Sequence, residues 1–195
     1  MRVIAGQYRS RVLQAPKGQD TRPTSDRLRE TLFNILAPRL PGSSFLDLYA
    51  GSGAVGIEAL SRGASSCTLV EAAPSALKAI RSNLEALGIR SGVQVEAKTV
   101  AAALDRLRKL GEKLGADKVA ADIVFLDPPW EAADDYEATL KFLARNAAAL
   151  LRPHALIIAE HSRKIPLEPR YSTLQRTRTR EHGDAALSFY ELSTE

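Results

Sequence analysis

Apolar residues recur along this chain in two rhythms, and the change between them divides it. Before Phe45 the pattern is short and mixed. "RVIAG" and "YRSRVLQA" are strand-like runs on either side of Gly6, which predicts a short N-terminal hairpin. A polar stretch follows to Pro23. In "TSDRLRETLFNILAPR", Leu28, Leu32, Ile35 and Leu36 fall on one helical face. Thr24 or Ser25 can cap that helix, and Pro38 and Pro41 end it.

From Phe45 onward, short apolar runs alternate with helical patterns. The runs are "FLDLYA", "CTLVE", "VQVEA", "DIVFLD" and "ALIIAE". Helical periodicity covers Val55–Ser61, Pro74–Leu87, Val100–Leu110 and Asp134–Leu151. Such alternation predicts right-handed βαβ units and a mostly parallel sheet with helices on both faces. The tail differs. "TLQRTRTRE" and "ALSFYEL", joined by "HGDA", predict an antiparallel hairpin at the sheet edge. No repeat, low-complexity tract or linker interrupts the pattern, so the 195 residues read as one α/β domain with residues 1–40 as an N-terminal extension.

Composition narrows the class. A hydrophobic content of 45% is that of a globular chain. No apolar run approaches the ~18 residues of a membrane span, and "MRVIAGQYRSR" lacks the apolar core of a signal peptide. Cys67 is the only cysteine, which excludes an internal disulfide, and its place in "CTLV" predicts a buried, inert thiol. His154, His161 and His182 show no ligand spacing, so no metal site is expected. The expected address is the cytoplasm.

Charge adds a partner. The net charge is +4. Residues 1–30 hold seven basic side chains against three acidic ones, which is the whole surplus. A basic end on a balanced body suggests a polyanionic partner; a solvated charged face is the plain alternative. Arg9 and Arg11 alternate, as do Arg176, Arg178 and Arg180. Period-two geometry predicts that each set shares one face of its strand and can follow a phosphate backbone. An edge strand guarded by charge is the alternative.

The candidate chemistry lies in two motifs. "DLYAGSGAVG" follows the first strand and opens a helix, with Gly51, Gly53 and Gly56 in G-x-G-x-x-G spacing. Glu71 ends the next strand, 20 residues after Gly51. An acid there can bind the hydroxyls of a ribose. By itself this fits a dinucleotide or S-adenosylmethionine. Asp47, inside the first strand, favours the second, because a carboxylate there could bond, directly or through water, to a methionine ammonium. A dinucleotide site would place an apolar residue there and a pyrophosphate at the helix N-terminus.

The second motif is "VFLDPPWEA". Asp127 ends the fourth strand, and ligands of open α/β sheets bind beyond the carboxyl ends of strands. Pro128 and Pro129 have fixed φ and no N–H, and Pro128 keeps Asp127 extended. The chain therefore leaves the sheet stiffly, with the Asp127 carboxylate and a backbone carbonyl as fixed acceptors. Two such acceptors suit the exocyclic amine of a nucleobase. They draw its nitrogen towards tetrahedral geometry and aim the lone pair at an electrophile. Trp130 offers a face for an unstacked base.

"LDPPW" resembles the [D/N/S]-P-P-[Y/F/W] motif of amino methyltransferases. With "MRVIAGQYRSRVLQAPKGQDTRPTSDRLRETLFNIL", "LDLYAGSGAVGIEALSRGA" and "HGDAALSFYEL", nearly the whole chain resembles the RsmD-type small-subunit rRNA guanine-N2 methyltransferases. That resemblance implies a class I S-adenosylmethionine-dependent methyltransferase (Rossmann-like) fold, with a seven-stranded sheet and an antiparallel last strand. It implies methylation of the N2 amine of a guanine in 16S rRNA, guanine 966 being the expected target. The expected partner is a small ribosomal subunit or assembly intermediate. Asp127, Pro128, Pro129 and Trp130 would form the target-base site. Asp47, Gly51, Gly53 and Glu71 would line the cofactor, and Arg22, Pro23 and Thr24 would close over it. Relatives usually carry Tyr or Phe at the position of Trp130. They usually have an acid near the adenine where "VEAKTVAAAL" has Thr99, so the Thr99 hydroxyl or a backbone group must substitute there. The rivals are an adenine-N6 or cytosine-N4 methyltransferase, a non-catalytic RNA-binding assembly factor and a nicotinamide oxidoreductase. Asp47, Glu71 and Asp127 together argue against a relic fold, and "LDPPW" and chain length argue against the oxidoreductase.

Overall fold

A computed structural model describes residues 1–16, 26–129 and 132–193. Arg22, Pro23, Thr24 and Trp130 lie outside the described residues. The described chain forms two compact units, Met1–Thr99 and Val100–Glu195.

The first unit holds α1 (Asp26–Leu36), β1 (Ser44–Leu48), α2 (Ala54–Ser61), β2 (Ser66–Glu71), α3 (Pro74–Leu87) and β3 (Val93–Ala97). Its strands lie in the order β3-β2-β1 and all run parallel. The periodic face of α1 is buried through Leu28, Leu32 and Leu36, and Phe33 stacks on Phe45 of β1 at 6.4 Å. Pro74 starts α3, where its missing N–H costs nothing, and Gly88 stops it in the left-handed conformation at φ 68°.

The N-terminal arm forms the expected hairpin in a shortened form. Arg2 and Val12 bridge antiparallel, with Val3 N–H on the Arg11 carbonyl and Leu13 N–H on the Met1 carbonyl at 2.9 and 3.0 Å, while residues 5–10 are turns rather than strand. The reason is where its backbone donors go. Ile4 N–H and Ala5 N–H donate to the two carboxylate oxygens of Glu58 at 2.7 and 3.0 Å. Gln7 N–H donates to the Ser61 carbonyl and Tyr8 N–H to the Ser61 hydroxyl, at 2.8 and 2.9 Å. The arm thus docks on α2 instead of pairing fully with itself. Gly6 permits it: a Cβ there would stand 1.8 Å from the Ser61 carbonyl oxygen.

The second unit holds α4 (Val100–Leu114), β4 (Ala121–Leu126), α5 (Ala133–Arg145), α6 (Ala147–Leu150), β5 (Leu151–Ser162), β6 (Arg170–Tyr171), β7 (Leu174–His182) and β8 (Ala185–Leu192). The order is β4-β5-β8-β7-β6. β4 and β5 are parallel, and the last strand, β8, runs antiparallel to both β5 and β7. β6, two residues long, is an addition to the expected strands. The helix expected over 134–151 breaks at Asn146, whose amide donates to the Phe142 carbonyl at 2.8 Å and competes with the helical ladder. Among the described residues no helix is long and apolar enough to cross a membrane, and no three His, Cys, Asp or Glu side chains are grouped to hold a metal ion.

Candidate active site

In the first unit, the chain leaves β1 through a turn that uses left-handed backbone three times, at Tyr49 (φ 64°), Gly51 (φ 56°) and Gly53 (φ 77°). A tyrosine in that region carries strain, which marks the turn as specified rather than incidental. Gly51 and Gly56 are required for different reasons. A Cβ on Gly51 would meet nothing within 4 Å, so the bare backbone lines open space that a ligand can approach. A Cβ on Gly56 would stand 2.3 Å from a Leu69 methyl and 2.6 Å from the Cys67 sulfur, so this glycine lets α2 press onto β2.

Two carboxylates brace this turn. Glu71 accepts Gly51 N–H on Oε2, and Ala72 and Ala73 N–H on Oε1, each at 2.8 Å. Three of its roughly four acceptor positions are occupied, and the one left on Oε2 suits a ribose hydroxyl. Asp47 is 1% exposed and accepts Gly56 N–H at 2.9 Å. Burial raises its pKa to about 7, against the lowering effect of the Gly56 bond. A carboxylate so enclosed holds the start of α2. A direct bond to a ligand ammonium, expected as one option from the sequence, does not fit this enclosure. Contact through water or through the backbone that Asp47 orients remains open to it. Cys67 beside it is buried, and burial pushes its thiol pKa up, so it is inert.

The turn has a further support that the motifs did not indicate. The Asn83 amide, on α3, donates to the Ser52 carbonyl at 2.9 Å and to the Gln14 carbonyl at 3.0 Å, and its oxygen accepts Gln14 N–H at 2.7 Å. One buried side chain thereby ties the glycine turn to the N-terminal arm. Its signal was an amide among the buried positions of an amphipathic helix, Ala76, Ala79, Ile80 and Leu84. Thr99 is exposed and directly precedes α4. Glu96, three residues earlier, is a buried acid on β3 that accepts from the Gln94 amide.

In the second unit, Asp127 is half-buried and is the first residue past β4; Pro128 is buried and Pro129 exposed. The hydroxyl of Tyr136, on α5, lies 3.3 Å from the Pro128 carbonyl and 2.8 Å from the Glu160 carbonyl of β5. A single phenolic proton serves the nearer acceptor best, so the Glu160 bond anchors the ring and the Pro128 contact is weaker. Tyr136 is 4% exposed and packs edge-on against His161 at 6.4 Å. It therefore anchors α5 to β5 and sets its hydroxyl against the Pro128 carbonyl beside Asp127. The sequence held a clue in the spacing of Tyr136, Leu140 and Leu143, one buried helical face.

The chain as a whole is similar to known proteins. A family model described as Conserved hypothetical protein 95 matches residues 1–191. The Ribosomal RNA small subunit methyltransferase D of Haemophilus influenzae is 37% identical over 180 residues, 92% of this chain and 88% of that one. Its namesake in Escherichia coli K12 is 35% identical over 98% of this chain and 89% of its own. The chain belongs to the RsmD family. A solved structure of a hypothetical protein from Thermus thermophilus, 30% identical, superposes with a TM-score of 0.81 over 98% of this chain and 99% of that chain. An S-adenosylmethionine-dependent methyltransferase of Agrobacterium tumefaciens, 18% identical, shares the fold alone at a TM-score of 0.61, covering 84% and 60% of the two chains. The fold is that of the class I methyltransferases.

The arginines expected to grip RNA are dispersed differently from expectation. Arg9 lies in the arm's turn and Arg11 beyond it, with Ser10 between them in left-handed backbone at φ 68°, so period-two alternation does not apply. Arg9 faces a cleft of about 310 Å³ that it lines with Arg2, Asp26, Arg27 and Glu30. Arg11 donates to the Ala86 carbonyl at 3.0 Å, near the C-terminus of α3, where a cation is favoured. In β7 a register shift between Arg176 and Arg178 breaks the alternation. Arg176 pairs with Tyr190 and Arg178 with its neighbour Phe189, so the two point to opposite faces. Arg176 is half-buried and donates to the Leu167 carbonyl at 2.7 Å. Arg178 and Arg180 remain together on the other face, both exposed.

Proposed function

We propose that this protein transfers a methyl group from S-adenosylmethionine to the N2 amine of a guanine in 16S rRNA, guanine 966 being the expected position, on a small subunit or assembly intermediate in the cytoplasm. The observation that carries the reading is the end of β4. There Asp127 is half-buried at the exit of β4, followed by two prolines, with the Tyr136 hydroxyl 3.3 Å from the Pro128 carbonyl; this supports reading Asp127 and that carbonyl as a pair of acceptors.

When bound, S-adenosylmethionine supplies an electrophilic methyl on a sulfonium. The chain's own residues do the rest. The Gly51 turn gives bare backbone to the cofactor, and Glu71 holds a ribose hydroxyl with its remaining acceptor position. Asp127 and the Pro128 carbonyl each accept one hydrogen of the target amine. This pulls the nitrogen lone pair out of conjugation and directs it, a gain by positioning. Asp127 can then take the proton that the amine must lose. Trp130 offers its ring to the extruded base. Arg22, Pro23 and Thr24 close over the cofactor, and Thr99 contributes near its adenine.

The names of the relatives support an rRNA substrate. Guanine N2 rests on the family resemblance, since two acceptors read an amine and not the identity of a base. The test uses small subunits from cells lacking the corresponding methyltransferase, labelled S-adenosylmethionine and mapping of the product. Label on guanine N2 is expected. Label on an adenine or cytosine amine would replace the reading with the N6 or N4 activity, and a protein that binds subunits without transferring label would be an assembly factor.

A further inference from the structure

The turn that leaves β5 is held more firmly than a solvated loop requires. Ile165 N–H closes it by donating to the Ser162 carbonyl at 3.0 Å. Beneath it lies His161, 3% exposed. Its Nδ1 stands 2.9 Å from the Ser162 carbonyl and 3.1 Å from the Ile165 carbonyl, and its Nε2 2.9 Å from the Ser188 hydroxyl. Two carbonyls can only accept, so Nδ1 carries the proton and Nε2 accepts from Ser188. Arg163 N–H adds a bond to the Asp184 carbonyl at 2.8 Å.

What this rigid turn displays is cationic and apolar. Arg163 and Lys164 are exposed, and Arg163 lies only 3.8 Å from Glu181 at the surface. Ile165 is 50% exposed, one of three large apolar side chains so exposed among the described residues. Strand directions fix where it stands. β5 runs parallel to β4, so both carboxyl ends lie at one edge of this sheet. β8 begins at that edge, with Ala185 opposite Ser162, and β7 ends there, with His182 opposite Ala185. The turn, with Arg180, Glu181, His182 and Asp184 exposed beside it, therefore shares its edge with Asp127, Pro128 and Pro129.

A lone exposed isoleucine needs no explanation. One on a turn held by a buried histidine, next to Lys164 and Arg163, at the edge that carries Asp127 and the prolines, has a use. We infer that Arg163–Ile165 is a docking surface for the RNA beside the target nucleotide. Arg163 and Lys164 meet phosphates, and Ile165 packs against the base stack that the target nucleotide leaves. Drawing a base out exposes the faces of its neighbours, and an apolar side chain covers them. A preorganised side chain loses little freedom in doing so. RNA is favoured over a protein partner because the surface offers charge around one aliphatic side chain, not a broad apolar patch.

This inference rests on the rRNA reading above, and its test separates the two. Ile165→Ala and Lys164→Gln are compared with the unaltered protein on small subunits from cells lacking the corresponding methyltransferase, and a benzoylphenylalanine crosslinker replaces Ile165 in a third variant. Ile165→Ala should lower kcat/KM roughly three- to tenfold, with S-adenosylmethionine affinity and salt slope unchanged. Lys164→Gln should reduce the salt slope of subunit binding by about one. The crosslink should map to rRNA next to the methylated base. Crosslinking to a ribosomal protein, or unaltered kinetics and salt slope in both substitutions, overturns the surface while leaving the activity standing. Failure of the unaltered protein to methylate rRNA overturns the functional reading and the RNA partner with it.

Discussion

The turn after β1 and the end of β4 are both strand ends, yet they are built in opposite ways. The first is a cluster of backbone donors closed by carboxylates: Glu71 takes three N–H groups and Asp47 takes a fourth. The second is a pair of acceptors, Asp127 and the Pro128 carbonyl, with two prolines that cannot donate. Under the proposed function the difference matches two ligands. A cofactor with hydroxyls and a charged tail needs a fixed cradle, and a nucleobase amine needs acceptors for its hydrogens. It also implies that damage to the two should separate, one acting on cofactor affinity and the other on the rate of transfer.

The largest separation is expected at Asp127. Replacing it with Ala should cut methyl transfer by about 10²-fold or more, the loss typical of a positioned catalytic group. Asp127 lies outside the cofactor motif, which predicts nearly unaltered S-adenosylmethionine affinity. Turnover at the level of the unaltered protein would remove Asp127 from the chemistry and dissolve the contrast.

Glu71→Ala should produce the mirror image. Hydrogen bonds to a charged group contribute about 1.5–3 kcal/mol, so cofactor affinity should fall roughly 10- to 100-fold by calorimetry. The three N–H bonds within the turn add a second expectation: the melting temperature without cofactor should also drop, because those donors lose their partner. Unaltered affinity would show that Glu71 serves the turn alone.

Tyr136→Phe tests whether the acceptor pair depends on its hidden support. The substitution keeps the ring against His161 and removes only the hydroxyl. A neutral hydrogen bond is worth about 0.5–1.5 kcal/mol, so kcat should fall roughly two- to tenfold. Cofactor affinity should hold. A fall in melting temperature with kcat unchanged would make Tyr136 a packing residue and leave the prolines as the only source of rigidity.

Legibility in the sequence followed the same divide. Glycine spacing and apolar alternation made the succession of βαβ units and the β1 turn readable, because both are local and depend on backbone geometry. The place of Asp127 and Pro128 just past β4 was readable for the same reason. The supports were not. Glu58 on the arm, Asn83 under the glycine turn and Tyr136 behind Pro128 each act across more than a few residues, Glu58 over more than 50 positions. A buried polar residue in an amphipathic helix signals that it has a partner without saying which. The arm was legible in part, for the converse reason. Its residues have strand propensity and pair as a short hairpin, but α2 takes the donors of Ile4, Ala5, Gln7 and Tyr8, and tertiary contact shortens the ladder. In β7 a single bulge undid the period on which the arginine row depended.

That lesson separates Arg9 from Arg11, the smallest effect expected. Taken as alternating strand residues they would act together on RNA. The structure gives them different surroundings. Arg11 already donates to the Ala86 carbonyl near the end of α3, whereas Arg9 opens onto a cleft with Arg2 and Arg27. Arg9→Ala should therefore weaken subunit binding and flatten its salt slope by about one, the amount for one phosphate contact. Arg11→Ala should leave the slope nearly unaltered and lower thermal stability by a few tenths to about 1 kcal/mol, the range for a cation at a helix C-terminus. S-adenosylmethionine affinity should survive both, because neither residue belongs to the glycine turn or its braces. Asp26 and Glu30 share the cleft with Arg9, so the plain alternative is a surface balanced by its own acids. Equal salt slopes for Arg9→Ala and the unaltered protein would establish that alternative and move the grip to Arg178 and Arg180, which share one exposed face of β7.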